Sequence, residues 1–559
     1  MYLRTTKRKN KDGSVIEYYH LAHNVRHPDT KQSTPNIIHT FGRADELDRD
    51  QLVRLCRSIA RVCGLDVIDP VEYANEDIQC DPVKLFDGVK IIKTLSFGRV
   101  HIAEILWERI GIGKTLREIF NRHKVSLLNE RALLAMTANR LCDPESKLGV
   151  WDRWLKTVYM PSCKGLGLDR MYEAMDQLHK HAGEVEQTVF WHTANLFNRD
   201  VDLVFYDTTS ASFHIDYEDD GDDGLRKFGH AKEGYWAPQV VVALAVTSDG
   251  LPVRSWVFPG NTSDVETIKQ VRTDLRGWNL HRALFIADSG VNSKSNRKEL
   301  ARACGKYLLA TRMANVKEVR EDVLSKKGRY ISIKENLKAK EVIVGDGMRR
   351  RRYVLCYNPK EAQRSRKHRK QLVEFLENEL SNHKDHSATA KWAIDLLASK
   401  RFKRYLSITK GNKIRIDRGK IKEAQRYDGK WVIETNDDSI SMEDAACGYR
   451  SLMVIERCFR SLKRTRIKMT PMYHWLPRRI EAHVKICVLS LLIERIAENA
   501  CNKSWHKIGR CLDEIQVTEF QTNTHRFFRI NELRKQVKDL LKAIGINTPK
   551  PVVDIKKFS

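Results

Sequence analysis

The chain has 559 residues, which is too long for one ordinary hydrophobic core and long enough for three or four domains of about 150 residues each. It carries 99 Lys and Arg against 72 Asp and Glu, a net charge of +27 and a pI near 9.5, which favours a polyanion such as nucleic acid as its partner. No apolar run approaches the roughly 20 residues of a membrane-spanning helix, the first residues lack the apolar core of a signal peptide, and the 12 cysteines form no CxxC pair. These observations exclude a membrane protein and a disulfide scaffold, and they predict a soluble, intracellular protein.

Residues 1–200 precede the first dense strand-like run and divide into two regions. Residues 1–88 begin with the alternating runs VIEYYHLAHNVR and NIIHTFG and pass into a helical pattern at ELDRDQLVRLCRSIARVCGL, which predicts a small α+β region. Residues 89–200 show helical periodicity in segments such as HIAEILWERIGIG and NERALLAMTANRLCDP. We therefore expect a helical domain there that binds DNA or forms a dimer, although it contains no clean helix-turn-helix signature.

The composition changes at Asp202, and residues 201–312 alternate β-branched runs with helical patterns. The runs DLVFYDTT, APQVVVALAVT, LPVRSWVFPG, RALFIADSG and GKYLLATR are typical of strands, and helical patterns separate the later runs. This order predicts a mixed α/β sheet, whose strand ends are the usual place for chemistry. Asp207 follows FY and Asp288 follows FIA, so both carboxylates emerge at the same edge if their strands are parallel neighbours.

The sheet pattern is interrupted over residues 313–440. Strand-like pieces such as KEVIVGD and RRYVLCY lead into a strongly basic helix, after which RYLSITK, NKIRIDRGK and GKWVIETN return to a strand pattern. An insertion of this length is expected to fold as its own β-rich subdomain. Its basic runs are interpreted either as solvated faces or as a surface that follows phosphates, and the high net charge favours the second interpretation.

Residues 441–500 contain a helix that carries an acid beside its buried face. The sequence YRSLMVIERCFRSLK, read at 100° per residue, has one apolar stripe, formed by Leu452, Ile455, Phe459 and Leu462. One margin of this stripe carries Tyr449, Glu456, Arg460 and Lys463. The plain interpretation of Glu456 is an ion pair with Arg460, worth only about 0.3–0.5 kcal/mol. The alternative is that Glu456 joins Asp207 and Asp288.

The remaining residues, 501–559, form a basic, partly helical C-terminal region.

Three carboxylates that converge from two strand ends and one helix make a hard, oxygen-rich, negative pocket. Mg²⁺ or Mn²⁺ prefers such ligands, and two ions about 3.5–4 Å apart can activate a water or a 3′-hydroxyl and stabilise the leaving oxygen of a phosphodiester. The sequence contains no GxxxxGK[ST], HExxH or GxSxG motif, and no GxGxxG after a strand. The predicted reaction class is therefore phosphodiester hydrolysis or strand transfer.

These motifs, taken in order, resemble those of the DDE insertion-sequence transposases. The elements that carry the resemblance are DTT at Asp207, IADSG at Asp288, a β-rich insertion, and a helix with Tyr449, Glu456 and Lys463. The chain is most similar to the bacterial subgroup whose helix carries Y-x₂-R-x₃-E-x₆-K after a β-strand insertion. The resemblance covers roughly residues 200–500 and implies an α/β fold, in which an RNase H-like mixed sheet is interrupted by the insertion subdomain and preceded by a mainly helical N-terminal region. Residues 201–312 and 441–500 would be the two parts of this core.

The sequence departs from the subgroup at one position of the helix motif. Leu452 stands where the motif has arginine, so the DNA contact of that arginine is absent or comes from Arg450 or Arg460. Two flanking motifs, FGHAK and PGNTSD, also resemble the family. Their Lys232 and Asn261 could contact DNA, although ordinary loop structure explains them equally well.

The resemblance also implies roles for single residues. Asp207, Asp288 and Glu456 would be the catalytic residues and would hold the two Mg²⁺ or Mn²⁺ ions. Double-stranded DNA would be contacted by Tyr449, Arg460, Lys463 and Trp431. Trp431, in GKWVIETN, would stack on a base extruded near the cleavage site, an interaction worth about 1–3 kcal/mol. A position in the core or on a hairpin face is the alternative for Trp431.

The expected function is that of a prokaryotic, cytoplasmic and nucleoid-associated DNA transposase. It would cleave the terminal inverted repeats of its element and join the freed 3′-hydroxyls to target DNA. Because two ends are processed together, we expect a homodimer or a larger synaptic assembly. Two alternatives remain open at this point: a nuclease of the same fold without strand transfer, and a domesticated DNA-binding protein without turnover.

Overall fold

The computed structural model describes residues 2–10, 15–26, 33–47, 88–196, 203–221, 223–232, 234–276, 278, 283–303, 305–347, 350–383 and 385–557, with isolated positions between 52 and 62. The chain forms two compact units, Met1–Asp87 and Gly88–Ser559. The helix that we expect at ELDRDQLVRLCRSIARVCGL lies largely outside the described residues.

The first unit contains a three-stranded antiparallel sheet with the strands in chain order. They are β1 (Tyr2–Lys9), β2 (Val15–Arg26) and β3 (Ser33–Arg43). The runs VIEYYHLAHNVR and NIIHTFG fall in β2 and β3, as their alternation predicts. His20 is buried within this sheet, and its ring nitrogens lie 2.8 Å and 2.9 Å from the hydroxyls of Thr6 and Thr40.

The second unit begins with a strand and a helical region. These elements are β4 (Lys90–Ser96), α1 (Gly98–Arg109), α2 (Ile112–Arg122), α3 (Leu128–Cys142) and α4 (Leu168–Leu196), with short helical turns over 147–157. In α2, Ile112, Leu116, Ile119 and Phe120 recur at helical spacing and are all buried, so the helix turns one apolar face to the core.

The centre of the second unit is a ten-stranded mixed sheet. Its strands are β5 (Leu203–Ser212), β6 (Lys227–His230), β7 (Trp236–Val246), β8 (Pro252–Pro259), β9 (Leu284–Ala287), β10 (Lys306–Thr311), β11 (Ile331–Lys334), β12 (Leu337–Val344), β13 (Arg351–Tyr357) and β16 (Lys430–Thr435). They are ordered β11-β12-β13-β16-β10-β9-β5-β7-β6, with β8 on the far side of β7. Strands β5, β9 and β10 are parallel and the remaining pairs are antiparallel.

Helices cover both faces of this sheet, which explains why its central strands are apolar on both sides. One face packs on helices that follow β16: α10 (Met442–Arg450), α11 (Met453–Arg460) and α12 (Pro477–Cys501). The other face packs on the end of α4 and on two helices between strands: α5 (Asp264–Arg276) and α6 (Lys294–Ala303).

The insertion over residues 313–440 is divided between the sheet and a separate cluster. We expected one independent subdomain, but β11, β12, β13 and β16 extend the central sheet. The sequence could not predict with which strands these four strands pair. The edge of the core sheet offers them the same backbone hydrogen bonds as a separate sheet would. Residues 359–425 pack around a core of their own, while a smaller apolar cluster that includes Val319, Tyr353 and Val432 packs on the extended part of the sheet. The cluster of residues 359–425 contains α7 (Pro359–Asn382), α8 (Lys391–Ala398), β14 (Leu406–Ile408), β15 (Ile414–Ile416) and α9 (Arg418–Gln425).

The C-terminal residues pack against the helical region of the same chain. They form α13 (Trp505–Leu512), β17 (Gln516–Gln521), β18 (His525–Ile530), α14 (Lys535–Ile544) and β19 (Val552–Lys557). A second sheet, β19-β18-β17-β4, joins this region to β4, and one hydrophobic core runs through both regions. The predicted α/β class with a large mixed sheet is confirmed. None of the helices within the described residues is long and apolar enough to cross a membrane.

Candidate active site

Asp207 and Asp288 lie on neighbouring parallel strands, as the sequence predicts. Strands β5 and β9 pair in parallel with Tyr206 opposite Ala287, so the two aspartates are the next residues along each strand. Asp288 directly follows β9, whereas β5 continues to Ser212 and pairs there with β7 alone. Asp207 therefore lies within its strand and not at its end, but both acids lie where the pairing of β5 with β9 stops.

The two aspartates point to the face of the sheet that α10, α11 and α12 cover. Side chains alternate between faces along a strand, and Phe205 and Ile286, two residues earlier, are buried in the same core as Ile455 of α11. The backbone of Asp288 is extended, with φ −77° and ψ 172°, so the alternation continues through it. Both carboxylates thus face the helical segment that carries Glu456.

That segment is not the single helix that we expected from Tyr449 to Lys463. Helix α10 ends at Arg450 and α11 begins at Met453, and the N–H groups of Leu452, Val454 and Ile455 donate to carbonyl oxygens three residues earlier. This tight turn reorients the chain between the two helices. A π-helical turn then continues α11 over Ser461–Thr465. The predicted apolar stripe is nevertheless confirmed, because all four of its members are buried: Leu452, Ile455, Phe459 and Leu462.

Tyr449 connects the helical segment to the aspartates. Its hydroxyl donates a hydrogen bond to Oδ1 of Asp288 over 3.1 Å. Burial, followed by the negative charges of Asp288, Asp207 and Glu456, raises the pKa of Tyr449. The phenol of Tyr449 is thus bonded to Asp288 and also lies within the electrostatic influence of Asp207 and Glu456. Glu456 and Arg460, both described by the structure, do not form the ion pair that the plain interpretation requires.

A polar network behind Asp207 was not predicted from the sequence as part of the acidic site. Nζ of Lys232 lies 3.6 Å from Oδ1 of Asp207 and donates to the carbonyl oxygen and, over 3.1 Å, to the hydroxyl of Thr208. The Thr208 hydroxyl donates in turn to Oδ1 of Asp264 over 2.5 Å. Lys232 belongs to FGHAK and Asp264 to PGNTSD, so the two flanking motifs were the available signal.

The charge distribution fits divalent cations. Burial raises the pKa of Asp207, the cation of Lys232 lowers it, and the negative charges of Asp264 and Asp288 raise it further. The ammonium of Lys232 thus lies beside the carboxylate of Asp207, where the negative charges of Asp264 and Asp288 favour a cation. The donor atoms are carboxylate oxygens, which Mg²⁺ and Mn²⁺ prefer. Three acids can hold two ions without all meeting at one point. Among the described residues, ligand atoms that all lie within 4.8 Å of one another occur at His123, His181 and Glu184 and not at the three acids.

The residues expected to contact DNA occupy different environments. Arg460 is exposed and lines a cavity of about 470 Å³ at the end of α11, together with Arg457, Arg466 and Arg495. Lys463 is half-buried. Trp431 is half-buried against the core beneath α10, and its indole N–H is buried without a hydrogen-bond partner among the described residues. Trp431 is the second residue of β16 and pairs with Cys356 of β13, one position before Val432 pairs with Thr311 at the end of β10.

Comparisons with known proteins agree with this geometry. The family model described as transposase DDE domain matches residues 203–491, and the model described as IS1634 family transposase, N-terminal domain, matches residues 3–69. The comparison with curated proteins gave no significant match. Among solved structures, the chain is similar to the cryo-EM structure of a piggyBac transposase synaptic complex with hairpin DNA. The identity is 10%, the TM-score is 0.34, and the match covers 70% of this chain and 71% of the other. This likeness is too weak to support any conclusion. The DDE model spans more than half of the chain and contains all three acids, and the chain therefore belongs to the DDE transposases of insertion sequences.

Proposed function

We propose that Asp207, Asp288 and Glu456 form the single catalytic site at which this transposase cleaves the ends of its element and transfers them to target DNA. The observation that supports it most is the register of β5 and β9, which puts Asp207 and Asp288 at adjacent positions, together with the hydrogen bond from Tyr449 of the following helical segment to Asp288. Acids brought together from β5, β9 and α11 otherwise cost electrostatic free energy, which bound cations offset. A structural role would not require three acids to share one site.

Divalent metal ions are typical of DDE transposase domains, and we propose two Mg²⁺ or Mn²⁺ ions held by these three residues. When bound, such ions supply Lewis acidity to the attacking and leaving oxygens of a phosphodiester. The carboxylate of Asp207 lies 3.6 Å from the ammonium of Lys232 and is repelled by the negative charges of Asp264 and Asp288, so a bound cation would stabilise it. Lys232 is held by Thr208 and remains available to a phosphate oxygen when cations replace it at Asp207.

Tyr449 orients the carboxylate of Asp288. Its raised pKa keeps the phenol protonated at neutral pH, so it acts as a hydrogen-bond donor. Because Oδ1 of Asp288 accepts this bond, the carboxylate is fixed in rotation and its other oxygen is free for a cation. Fixed ligands reduce the reorganisation that the reaction requires.

DNA binding belongs to the family, and we propose Arg460, Lys463 and Trp431 as its contacts near the reacting phosphate. Arg457, Arg460 and Lys503 form a cationic surface in the cavity at the end of α11, in which Arg466 and Arg495 are paired with Glu498. This surface supplies the positive charge that Leu452, buried in the core, does not provide. Trp431 would stack on a base of the transposon end. A homodimer or larger synaptic assembly would bring two such sites to the two ends.

The test combines end cleavage with strand transfer. A DNA fragment that carries the end of the element is incubated with a supercoiled plasmid and Mg²⁺, with wild-type protein and with Asp207→Asn, Asp288→Asn or Glu456→Gln. Wild-type protein is expected to yield joined products, while each variant loses at least about 10³-fold in rate and binds the end with unchanged affinity. Glu443→Gln, an exposed acid on α10, is the matched control and is expected to keep full activity.

Other outcomes separate the rival functions. Cleaved but never joined ends would indicate a nuclease of the same fold. Binding without products in any divalent metal would indicate a DNA-binding protein. Joined products at the wild-type rate in any of the three acid variants would refute the site assignment.

A further inference from the structure

A second polar cavity lies away from the acids, between the helical region and the segment that precedes α12. Its volume is about 490 Å³. Its lining comes from residues 140–153, Tyr172, residues 468–474 and His483. It shares no lining residue with the acidic site, and we call it the Lys147 pocket.

The floor of the Lys147 pocket is cationic and buried. Lys147, Arg140 and His483 expose only 3%, 4% and 4% of their surface. Among the lining residues, Arg140, Lys147, Arg153 and Lys468 are basic and Glu145 is the one acid. Oε2 of Glu145 accepts a hydrogen bond from Arg153 over 2.7 Å, so this carboxylate is directed to the rim and not to the floor.

The two buried cations of the floor have no anionic partner among the described residues. The guanidinium of Arg140 donates to the carbonyl oxygens of Glu145, Ile467 and Lys468, and its Nε–H is buried without any partner. Nζ of Lys147 has one side-chain neighbour, Nδ1 of His483, at 3.4 Å. Buried charges are normally paired, so an uncompensated pair of cations at the base of a cavity indicates a missing anion.

His483 does not supply that anion, and its hydrogen bonds define which nitrogen faces Lys147. Its Nε2 donates to the carbonyl oxygen of Met469 over 3.0 Å, which leaves Nδ1 as the acceptor for Lys147. Burial and the charges of Lys147 and Arg140 lower the pKa of His483 well below its ordinary value, so the ring stays neutral. The same imidazole thus fixes the direction of the lysine ammonium.

The rim of the pocket is aromatic. Tyr473 exposes 66% of its surface, and the rings of Tyr172 and His474 meet edge to face with centroids 6.4 Å apart. Aromatic side chains above a cationic floor suit a ligand that joins a phosphate to a flat or ring-shaped group. Lys468 also follows Lys463 by only five positions, which connects the pocket along the chain to the cationic surface after the catalytic helix.

We propose that the Lys147 pocket is a phosphate-binding site, in which Lys147 and Arg140 bind the phosphate oxygens and the aromatic rim receives the attached nucleoside. The phosphate belongs either to a nucleotide of bound DNA or to a free phosphate compound. Both sources present the same tetrahedral anion to the floor. The proposal does not depend on the catalytic assignment, because it involves none of the residues of the acidic site.

The experiment measures binding without divalent metal, so that the acidic site does not contribute. Inorganic phosphate and a deoxynucleoside 5′-monophosphate are titrated by calorimetry into wild-type protein, Lys147→Met and the control Lys180→Met, which replaces an exposed lysine on α4. Affinity for both ligands is expected to fall at least tenfold in Lys147→Met and to remain unchanged in Lys180→Met. Circular dichroism and the melting temperature establish that each variant is folded.

A second arm identifies the source of the phosphate. Duplex DNA from the end of the element is titrated at several salt concentrations. If the pocket binds DNA, Lys147→Met weakens this binding and reduces the slope of log K against log salt by about one unit. Unchanged DNA binding with lost phosphate binding identifies a free phosphate compound as the ligand. Failure of wild-type protein to bind either small ligand, or equal binding by Lys147→Met, overturns the proposal.

Discussion

The hydroxyl of Tyr449 donates a 3.1 Å hydrogen bond to Oδ1 of Asp288, across 161 positions of sequence. This bond ties the end of α10 to the end of β9, and it does so at the point where Asp207 and Glu456 also act on the phenol. Tyr449 is therefore placed to orient the carboxylate of Asp288, which we propose as a metal ligand. The resemblance to transposases had suggested a different role, a contact with a DNA phosphate. The two roles lead to different kinetic consequences.

Replacing Tyr449 by Phe separates these roles. A hydrogen bond to a carboxylate is worth about 1.5–3 kcal/mol, so we expect the single-turnover cleavage rate to fall about 10- to 100-fold while the dissociation constant for end DNA stays within about twofold. The control is Tyr427→Phe, which removes a hydroxyl 3.3 Å from Oε1 of Glu423 in α9 and should leave the rate unchanged. Weaker DNA binding at an unchanged rate would assign Tyr449 to the phosphate instead.

Thr208 is expected to stabilise the site through its hydroxyl. It exposes 2% of its surface, accepts a bond from Lys232 and donates one to Asp264. Thr208→Val keeps the shape and removes the hydroxyl that bonds both Lys232 and Asp264, although Lys232 keeps its bond to the backbone carbonyl, and this should lower the free energy of unfolding by about 1–3 kcal/mol in urea titrations. Thr209→Val is the matched control, because Thr209 is also buried but its hydroxyl has no side-chain partner among the described residues. Equal losses in the two variants would contradict the network.

The adjacent positions of Asp207 and Asp288 on parallel strands could be predicted because each acid stands in a strong local pattern. Asp207 and Asp288 end dense β-branched runs, and the apolar stripe around Ile455 orients the helix that carries Glu456. Parallel pairing then follows from the usual topology of alternating strands and helices. These signals depend only on residues a few positions apart.

The parts that the sequence did not reveal depend on contacts between distant residues. Lys232 and Asp264 reach Asp207 through loop conformations that no periodicity encodes. The break after Arg450 was missed because Ser451 and Leu452 are compatible with a helix, and no Gly or Pro marks the turn. The Lys147 pocket combines side chains more than 300 positions apart, so no linear motif announces it.

Trp431 offers a test of base stacking in which packing is kept nearly constant. Because the indole is half-buried and its N–H has no partner among the described residues, Trp431→Phe should preserve both packing and stacking. Trp431→Leu fills the same site without an aromatic face. If Trp431 stacks on an extruded base, the leucine variant should cleave about 10-fold more slowly or worse, in line with about 1–3 kcal/mol per stacked base, and the phenylalanine variant should retain most activity. Fluorescence of 2-aminopurine near the cleavage site reports the stacking directly. Equal activity of both variants would assign Trp431 to the core.

The Lys147 pocket also makes a prediction on stability, because its lysine is buried without an anion. Burial and then the charge of Arg140, opposed by Cys487, together lower the pKa of Lys147 from 10.5 to about 7. The one acid that lines the pocket, Glu145, is bonded to Arg153, and the other titratable groups near this lysine, His474, His483 and Lys468, provide no negative charge. In the unfolded chain the lysine keeps its ordinary pKa, so between about pH 7 and 10.5 the unfolded state binds more protons, and the stability of the wild-type protein rises with pH.

Lys147→Met removes this dependence. A well-packed apolar residue in place of a buried ion is typically neutral or stabilising by about 1–4 kcal/mol, so the variant should be more stable than wild type at pH 6, and its advantage should shrink as the pH approaches 10.5. Urea unfolding at pH 6, 8 and 10 measures the difference, and Lys180→Met should stay within about 0.5 kcal/mol of wild type at each pH. A less stable variant at pH 6, or an advantage independent of pH, would contradict the buried unpaired cation. If Lys147→Met gains stability and loses phosphate binding, Lys147 serves ligand binding and lowers the stability of the fold.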